Sequence, residues 1–560
     1  MSALAPPQNA LRALLSAAAE EWRSTPFYRI SLRGSDPTSI ALTAQDPRPG
    51  DPALGADILR GQWRLGAERL GELQPIPWRA AAPSTYFTAR LHAFGWLRDL
   101  AAAPGAAEAI TRLVDTWVEG FGEWHEAAWA PELTAERLLA WLCHAGPALS
   151  RGAVSEPALR SLGRQARHLM LAAKDIREPS ARITAGAALL VAAASGLPEA
   201  ELMRDQGEEI LLEAVASQLL ADGGHQSRSP ETLLNALCEL VLADSALTRA
   251  GGAASPMLRT AIGKMANMVR FLSLGDGAMA CFQGGGEGRA SAVTNALAAA
   301  GAEARRFGYA SQSGYQRWQS GDLTLLMDVG APPPPAFAAR AHAGALAIEF
   351  SCGADRVFVN VGAGRELDPE WRAAARATAA HSTLIVSDSL SSPFAEPRRG
   401  RSAAYPTGPQ VHMKRTEDDT GVWVEAQHDG YKQQFNLVTR RAIFMDNLGR
   451  KIWGLEQLSR PLTQKAGGQG RMIPFAVRFH LHPACRAMPA EHQMVGVETP
   501  NGSRWRFRTD AEWRLEESIY LGADLKPQRT QQIVLEGAAL SNGDGEETTN
   551  RVRWTMARVD

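Results

Sequence analysis

The chain divides into two parts that differ in the spacing of their apolar residues. Between about Trp78 and Ala300 apolar residues recur every three or four positions, and Ala and Leu dominate. This spacing predicts amphipathic helices, separated by Pro, Gly, Asp or Ser. At least six such segments are present: TARLHAFGWLRDLAA, AITRLVDTWVEGFGEW, LTAERLLAWLCHAG, ALRSLGRQARHLMLAA, ARITAGAALLVAAASG and SPETLLNALCELVLAD. Because they show no fixed repeat period, helical hairpins closed into a toroid are favoured over a solenoid.

After SGYQRW, apolar and polar residues alternate in short runs, which predicts strands. Such runs include DLTLLMDVG, ALAIEFSCG, RVFVNVG, STLIVSD, GVWVEAQHDGY, LVTRRAIFMD, FAVRFHLHP, SRWRFRTD and QQIVLEG. Many short strands without long helices between them favour an antiparallel sandwich. We therefore predict a multidomain α+β chain. Its segments are an N-terminal extension (1–75) packed on an incomplete α/α toroid (76–315), and an antiparallel β-sandwich (316–560).

Composition supports a folded chain of two or three domains. The 560 residues are 45% hydrophobic and 21% charged, as in ordinary globular proteins. Lys and Arg number 59 and Asp and Glu 60, so the formal net charge is -1. A chain without a broad positive field is not expected to bind nucleic acid.

The cysteines and the N-terminus bear on the cellular location. The five cysteines are spread far apart without a C-x-x-C pair, so disulfides are not implied. Arg12, Glu20, Glu21 and Arg23 interrupt the first apolar stretch, so no signal peptide is expected. No apolar run is long enough to predict a transmembrane segment. These features predict a cytoplasmic protein.

Four segments of the strand-rich part carry a resemblance to a known family. They are AHAGALAIEFSCGADRVFVNVG from Ala341, ATAAHSTLIVSD from Ala377, AQHDGY from Ala426 and RFHLHP from Arg478. In these segments the chain resembles the heparinase II/III-like family of polysaccharide lyases. LHAFGWLRDLA, WAPELTAERLLAWL and DGGHQSRSP match helical segments of that family more loosely. The resemblance implies an α/α toroid followed by an antiparallel β-sandwich, in agreement with the spacing.

The resemblance also implies β-elimination at a uronic acid. A base removes the proton at C5, the sugar carboxylate is neutralised, and an acid protonates the glycosidic oxygen at C4. Family members supply an Asn and a Tyr from the toroid and a His-x-His-x-Asp segment from the sandwich. In several members the second His, a following Asp and a later His bind zinc. The expected partner is thus an acidic polysaccharide or oligosaccharide.

The metal positions of the family correspond to His342, Asn360 and His381 in this chain. Asn360 stands where an Asp is expected. Its amide oxygen can coordinate a cation but brings no negative charge, so we expect a weakly bound divalent metal, with zinc the first candidate. The alternative is a pair of sandwich histidines that bond only to their neighbours.

The catalytic positions depart further from the family. Arg340 stands at the position of the first His, and Gly344 at that of the Asp which ends the motif. An Arg stays protonated and cannot act as a base, but it can pair with a substrate carboxylate, so Arg340 stays a candidate. The family Tyr falls near Thr232 and the family Asn near Ser180.

Other side chains could replace the missing groups. Tyr315 and Tyr431 are candidate acids, although a tyrosine in a strand often only packs its ring. His225 suits a general base, since an unperturbed imidazole has a pKa of about 6.5. Tyr315 could act as a base only if cations such as Arg228 lower its pKa.

Basic side chains are candidate contacts to the substrate. Arg228 lies in DGGHQSRSP, and Arg398, Arg399 and Arg401 follow SSPFAEP. Each group could bind a carboxylate or sulfate, or could simply be a solvated loop.

The sequence and the family resemblance support two candidate functions. The first is a lyase that cleaves uronate-containing glycans by β-elimination. The second is a non-catalytic or repurposed protein of the same fold that binds glycans or serves the cell envelope, and the replaced catalytic positions favour it. Family lyases are typically exported, so the envelope or periplasm is the alternative to a cytoplasmic location. The sequence does not indicate the oligomeric state.

Overall fold

A computed structural model describes residues 19, 21–364, 367, 369–395, 404–461, 470–492, 494–523, 526–545 and 548–559. Two compact units interleave along the chain. The first consists of residues up to Leu219 together with Asn235–Gly263 and Asn295–Gly301. The second consists of Leu220–Leu234, Lys264–Thr294 and the chain from Ala302 onward. The division predicted from the sequence, at residues 75 and 315, stays a prediction.

Helices fill the N-terminal half, as the apolar spacing predicted. Proline commonly stands in the first turn, where its missing N–H costs no hydrogen bond; Pro52 follows Asp51, whose carboxylate caps the helix by accepting from Ala53 N. Among its described residues, the α-helices of this half are Pro26–Ser31, Pro52–Leu59, Thr85–Ala93, Leu97–Ala102, Ala107–Phe121, Pro131–His144, Gly146–Leu149, Glu156–Ala172, Pro179–Ala194, Ala200–Gln218, Pro230–Arg249, Pro256–Leu272 and Ala290–Ala300. Further α-helices, of eight and four residues, follow at Pro369–Arg376 and Lys432–Phe435.

The N-terminal segment packs on the helix Glu156–Ala172 within the first unit. The Tyr28 hydroxyl lies 2.6 Å from His168 Nδ1, and Arg167 Nε donates to Leu32 O at 2.7 Å. The helices Pro179–Ala194 and Ala200–Gln218 approach closely at two glycines, since a Cβ at Gly186 would lie 3.0 Å from Gly207 O. The Ala-rich window from Ile183 is thus a buried core helix.

Two large antiparallel sheets form the C-terminal half. One runs in the order β11 (Val411–Glu417), β12 (Gly421–His428), β13 (Val438–Asp446), β14 (Lys451–Ser459), β21 (Arg551–Val559), β18 (Arg504–Thr509), β17 (Met494–Glu498), β16 (Arg486–Ala490). The other runs β19 (Glu512–Leu521), β20 (Pro527–Leu540), β15 (Met472–Leu481), β7 (Asp355–Val359), β6 (Ile348–Cys352), β5 (Leu323–Asp328), β4 (Tyr315–Ser320), β3 (Tyr309–Ala310), with β8 (Leu384–Val386) also paired to β15. Two-stranded pairs join β1 (Arg64–Leu65) with β2 (Glu68–Arg69) and β9 (Phe394–Ala395) with β10 (Tyr405–Pro406).

The inner faces of the two large sheets share one apolar core. Phe350 of β6 meets Trp505 of β18 with ring centroids 5.4 Å apart, and Phe479 of β15 meets Trp554 of β21 at 4.9 Å. All four are almost fully buried. This packing of face on face confirms the predicted antiparallel sandwich after a helical region. Within the part of the chain that the structure describes, no helix is long and apolar enough to span a bilayer.

Candidate functional site

His342 and His381 lie together in the second unit, at the two segments that best match the family. His342 Nδ1 and His381 Nε2 are 3.2 Å apart, and both side chains are buried. His381 Nδ1 lies 2.8 Å from Ala377 O and so carries the proton that it donates there. His381 Nε2 is then an acceptor, and His342 Nδ1 donates to it. The family resemblance, which assigns both rings to one metal site, implied that they lie near each other.

Both imidazoles are neutral near pH 7. Burial lowers the pKa of His342 well below 6.5, and the nearby His381 and Arg376 lower it further. Burial also lowers the pKa of His381, to about 4. Neutral imidazoles can bind a metal, but the single N–H that each ring keeps is too weakly acidic to protonate a leaving group at this pH.

Gly344 makes room for the His381 ring. A Cβ at position 344 would lie 2.6 Å from His381 Cδ2 and 3.0 Å from Nε2. An Asp, which ends the family motif at this position, therefore does not fit beside His381 in its present place. The glycine at position 344 therefore allows the His381 ring to lie where it does.

Asn360 uses its amide group within the fold. Its Oδ1 accepts from Ser382 N at 3.0 Å, and its Nδ2 donates to Cys281 O at 3.1 Å and to Glu349 Oε1 at 3.2 Å. In the described residues, no three His, Cys, Asp or Glu side chains form a group that could hold a metal ion. Two hydrogen-bonded imidazoles and an engaged amide fit zinc poorly, because zinc takes four close ligands. The weakly bound metal stays a prediction.

Glu349 is a buried group that the sequence analysis missed. Its Oε2 accepts from Cys281 N at 3.0 Å and its Oε1 from Asn360 N at 2.9 Å. Burial raises its pKa to about 7, although Arg356 and these hydrogen bonds oppose the rise. A charged residue inside the apolar run ALAIEFSC was the available signal.

Arg340 is exposed, and it forms no ion pair with the carboxylates that the structure describes. Its backbone is held, since a Cβ at Gly284 would lie 2.2 Å from Arg340 O. We expected the fold to aim this side chain at a bound anion, and the described contacts give that expectation no support. A role in binding a substrate carboxylate stays a prediction.

Tyr315 and Tyr431 do not lie at an accessible surface. Tyr315 is fully buried, and its hydroxyl donates to Arg228 O at 2.5 Å. Burial raises its pKa well above 10, and the opposite effect of Arg228 is smaller. Tyr431 lies in the sandwich core, its hydroxyl faces Leu384 O at 3.3 Å, and burial raises its pKa as well. The condition under which Tyr315 could act as a base, a pKa lowered by Arg228, is therefore not met, and neither phenol is placed to move a substrate proton.

His225 and Arg228 are also buried, which corrects the expectation of a solvated or substrate-facing loop. His225 Nδ1 accepts from Ser227 N at 3.0 Å, and burial lowers its pKa to about 4. Arg228 forms an ion pair with buried Asp328 and donates to Ser313 O, Gly314 O and Ala331 O. Its guanidinium holds the fold together, so it is not free to bind a substrate.

The structure describes two of the remaining candidate positions, Thr232 and Ser180. Thr232 is half-buried in the first turn of Pro230–Arg249, and Ser180 Oγ donates to Glu178 Oε1 at 3.1 Å in the other unit. Neither replaces the missing Tyr or Asn. Arg398, Arg399 and Arg401 lie outside the described residues, so their predicted role stays a prediction.

Comparisons with known proteins identify the relatives of the chain. Residues 302–555 match the family model described as Heparinase II/III-like, C-terminal. FtsZ-localized protein C from Caulobacter vibrioides (strain NA1000 / CB15N) is 32% identical, over 96% of this chain and 94% of that protein.

Solved structures share the fold at low sequence identity. Heparinase III matches with a TM-score of 0.69 at 14% identity, over 100% of this chain and 92% of that one. A mutant of the heparan sulfate lyase HepC from Pedobacter heparinus matches with a TM-score of 0.60 at 15% identity, over 99% and 89% of the two chains. The family model, the long alignment to one relative and these folds agree, and the chain belongs to the heparinase II/III-like family.

Proposed function

We propose that the chain is a non-catalytic, glycan-binding member of its family that works together with FtsZ. The absence of catalysis is supported mainly by the burial and chemistry of the candidate acid and base groups. Tyr315, Tyr431 and His225 are buried, and Arg340, at the position of the family's catalytic His, is a cation.

The chemistry of β-elimination explains why this observation matters. The base must reach the proton at C5 and have a pKa near the working pH. Burial raises the pKa of both tyrosines and lowers that of His225 to about 4, which makes the imidazole a weak base. None of the three side chains combines access to a sugar with a suitable pKa.

The relative supports the second half of the proposal. Its name says that it is localised to FtsZ, and its alignment with this chain covers nearly the full length of both. We infer that this chain also associates with FtsZ. The cytoplasmic location predicted from the sequence accords with such a partner, and imaging of a fluorescent fusion beside labelled FtsZ tests both.

An absorbance assay for the unsaturated uronate product tests the absence of catalysis. Wild-type protein is incubated with heparan sulfate, alginate, hyaluronan or chondroitin sulfate, and the heparan sulfate lyase HepC from Pedobacter heparinus, acting on heparan sulfate, is the positive control. We expect no product from wild type, and none from Arg340→His, because Thr232 and Ser180 still stand where Tyr and Asn are required. Product formation by the wild-type protein would contradict the proposal, and product formation by Arg340→His alone would contradict the effect assigned to Thr232 and Ser180.

Co-sedimentation tests the partner. FtsZ assembled with GTP is pelleted in the presence of the full chain, and FtsZ kept in GDP serves as the control. We expect the chain in the pellet only with assembled FtsZ. Its absence from the pellet at every FtsZ concentration would refute the association.

The lyase is the second candidate, favoured by one observation. The neutral pair His342 and His381 is kept in the two best-matched segments. If the assay does show product, substitution of His225 by Gln and of Tyr315 by Phe decides whether those side chains act in it.

A further inference from the structure

A cavity in the second unit has the size of a ligand site. Its volume is about 480 Å³, within the range that small-molecule sites usually have. The loop that begins at Leu220, the turn before β4, the proline run after β5 and the edge strand β11 surround it.

The walls of this cavity are fixed without a ligand. Asp222 Oδ2 accepts from Gln312 N at 2.9 Å and from Ser313 N at 2.7 Å. Arg228 Nε donates to Ser313 O at 2.7 Å and Arg228 Nη1 to Ala331 O at 2.8 Å. Because the loop, the turn and the proline run are already tied together, a ligand would not have to order them.

Five polar side chains without a permanent charge line the cavity and are free to bind. Within the described residues, none of them makes a side-chain hydrogen bond, and all are exposed except half-buried Gln226. They are Gln226, Tyr309, Ser311, Gln312 and His412. Amides and hydroxyls both donate and accept, which suits the hydroxyl and amide groups of a sugar.

The lining has no spare charge. Among its described residues the one permanently charged side chain is Arg228, which already pairs with Asp328 and three carbonyls. Cationic side chains form the strongest hydrogen bonds to a uronate or sulfate, and the described lining offers none that is unpaired. The apolar wall, from Val329 to the prolines and Met413, together with the Tyr309 ring, offers flat surface to the carbon face of a sugar.

We propose that this cavity binds an uncharged oligosaccharide, and not the acidic glycan that the family fold implies. The inference rests on the proposed glycan-binding function and names its site and ligand class. Tyr309 would contact a ring face, and Gln226 and Gln312 would pair with its polar groups.

Calorimetric titration of the full chain tests the proposal with two matched probes. Tri-N-acetylchitotriose is uncharged, and a hyaluronan tetrasaccharide shares its N-acetylglucosamine but adds uronates. We expect chitotriose to bind equally at low and high salt, and the tetrasaccharide to bind at least about tenfold more weakly, a difference of about 1.4 kcal/mol. The double variant Tyr309→Ala/Gln312→Ala should lose about tenfold or more in affinity for chitotriose. Gln528→Ala, exposed and outside the cavity, should bind as wild type does.

The outcomes separate this inference from the proposed function. If the tetrasaccharide binds and chitotriose does not, or the double variant binds chitotriose as wild type does, the ligand class or the site is wrong while glycan binding stands. If neither probe binds, the inference and the glycan-binding function both fail. Circular dichroism of the double variant checks folding, which the exposure of both side chains favours.

Discussion

The glycine at position 344 allows His342 and His381 to form their hydrogen bond. His381 lies against the backbone of Gly344 and receives a hydrogen bond from His342. Close-packed interiors leave no space for an added methyl group unless neighbours move. The residue that sequence comparison treats as a missing Asp is therefore what permits the present pairing.

Gly344→Ala should destabilise the fold. The new Cβ would lie 2.6 Å from His381 Cδ2, and overpacking of this kind typically costs about 1–3 kcal/mol. Gly120→Ala is the control, because nothing lies within 4 Å of a Cβ there and Ala favours the helix Ala107–Phe121. Thermal unfolding should show a lower midpoint for the first variant and no loss for the second. Equal midpoints would mean that the His381 ring moves freely.

At the level of secondary structure, the Arg228 side chain connects the start of the helix Pro230–Arg249 to β4 and β5. Arg228 has a backbone φ of 57°, which is uncommon for a residue with a Cβ. Strain of this kind persists only where surrounding contacts impose it. Here Asp328, at the end of β5, and the carbonyls of Ser313 and Gly314 supply those contacts.

Arg228→Ala should cost about 3–5 kcal/mol, because it leaves the buried Asp328 carboxylate without its cation. The matched control is Arg60→Ala, which removes an exposed pair with Asp57 worth about 0–1 kcal/mol. Urea unfolding followed by tryptophan fluorescence measures both. If the two variants lose similar stability, Arg228 does not have the structural role assigned to it.

The alternation of apolar and polar residues predicted the strands well, but it did not predict the burial and hydrogen bonds of individual side chains on them. Tyr315 begins β4, and its pattern alone allows either face and either a free or a bonded hydroxyl. Its partner is the carbonyl of Arg228, 87 positions away, which no local pattern reveals. The proximity of His342 and His381 was easier to predict, because both lie in segments that the family resemblance assigns to one metal site. Glu349 was missed because its burial depends on hydrogen bonds from Cys281 and Asn360.

At the scale of the whole molecule, buried histidines set the response to acid. Burial lowers the pKa of eight histidines from 6.5. The pKa falls to about 4 for His92, His225, His381 and His428 and to about 3 for His168 and His480. It is also lowered for His342 and His482. A group whose pKa is lower in the folded state binds fewer protons there than in the unfolded chain. Stability from these groups is thus present above pH 6.5 and is lost as the pH falls toward 4.

The unfolding midpoint should therefore fall on acidification from pH 6.5 to 4. Glu239 and Glu349 act in the opposite direction, because burial raises the pKa of each to about 7 and their contribution is lost as the pH rises. The opposite effect of two such carboxyls is smaller than the combined effect of eight histidines. His480→Gln should make the fall shallower, and a midpoint that stays constant over this range would refute the assignment.

The central claim, that the chain does not remove the C5 proton of a uronate, is tested most directly by proton NMR in D2O. Hyaluronan is incubated with the protein, and one spectrum reports both exchange at C5 and formation of the C4–C5 double bond. We predict an unchanged H5 signal and no vinyl signal, as in a sample without protein. Loss of the H5 signal with wild type, abolished in His225→Gln, would show that a base reaches the sugar and would contradict the account.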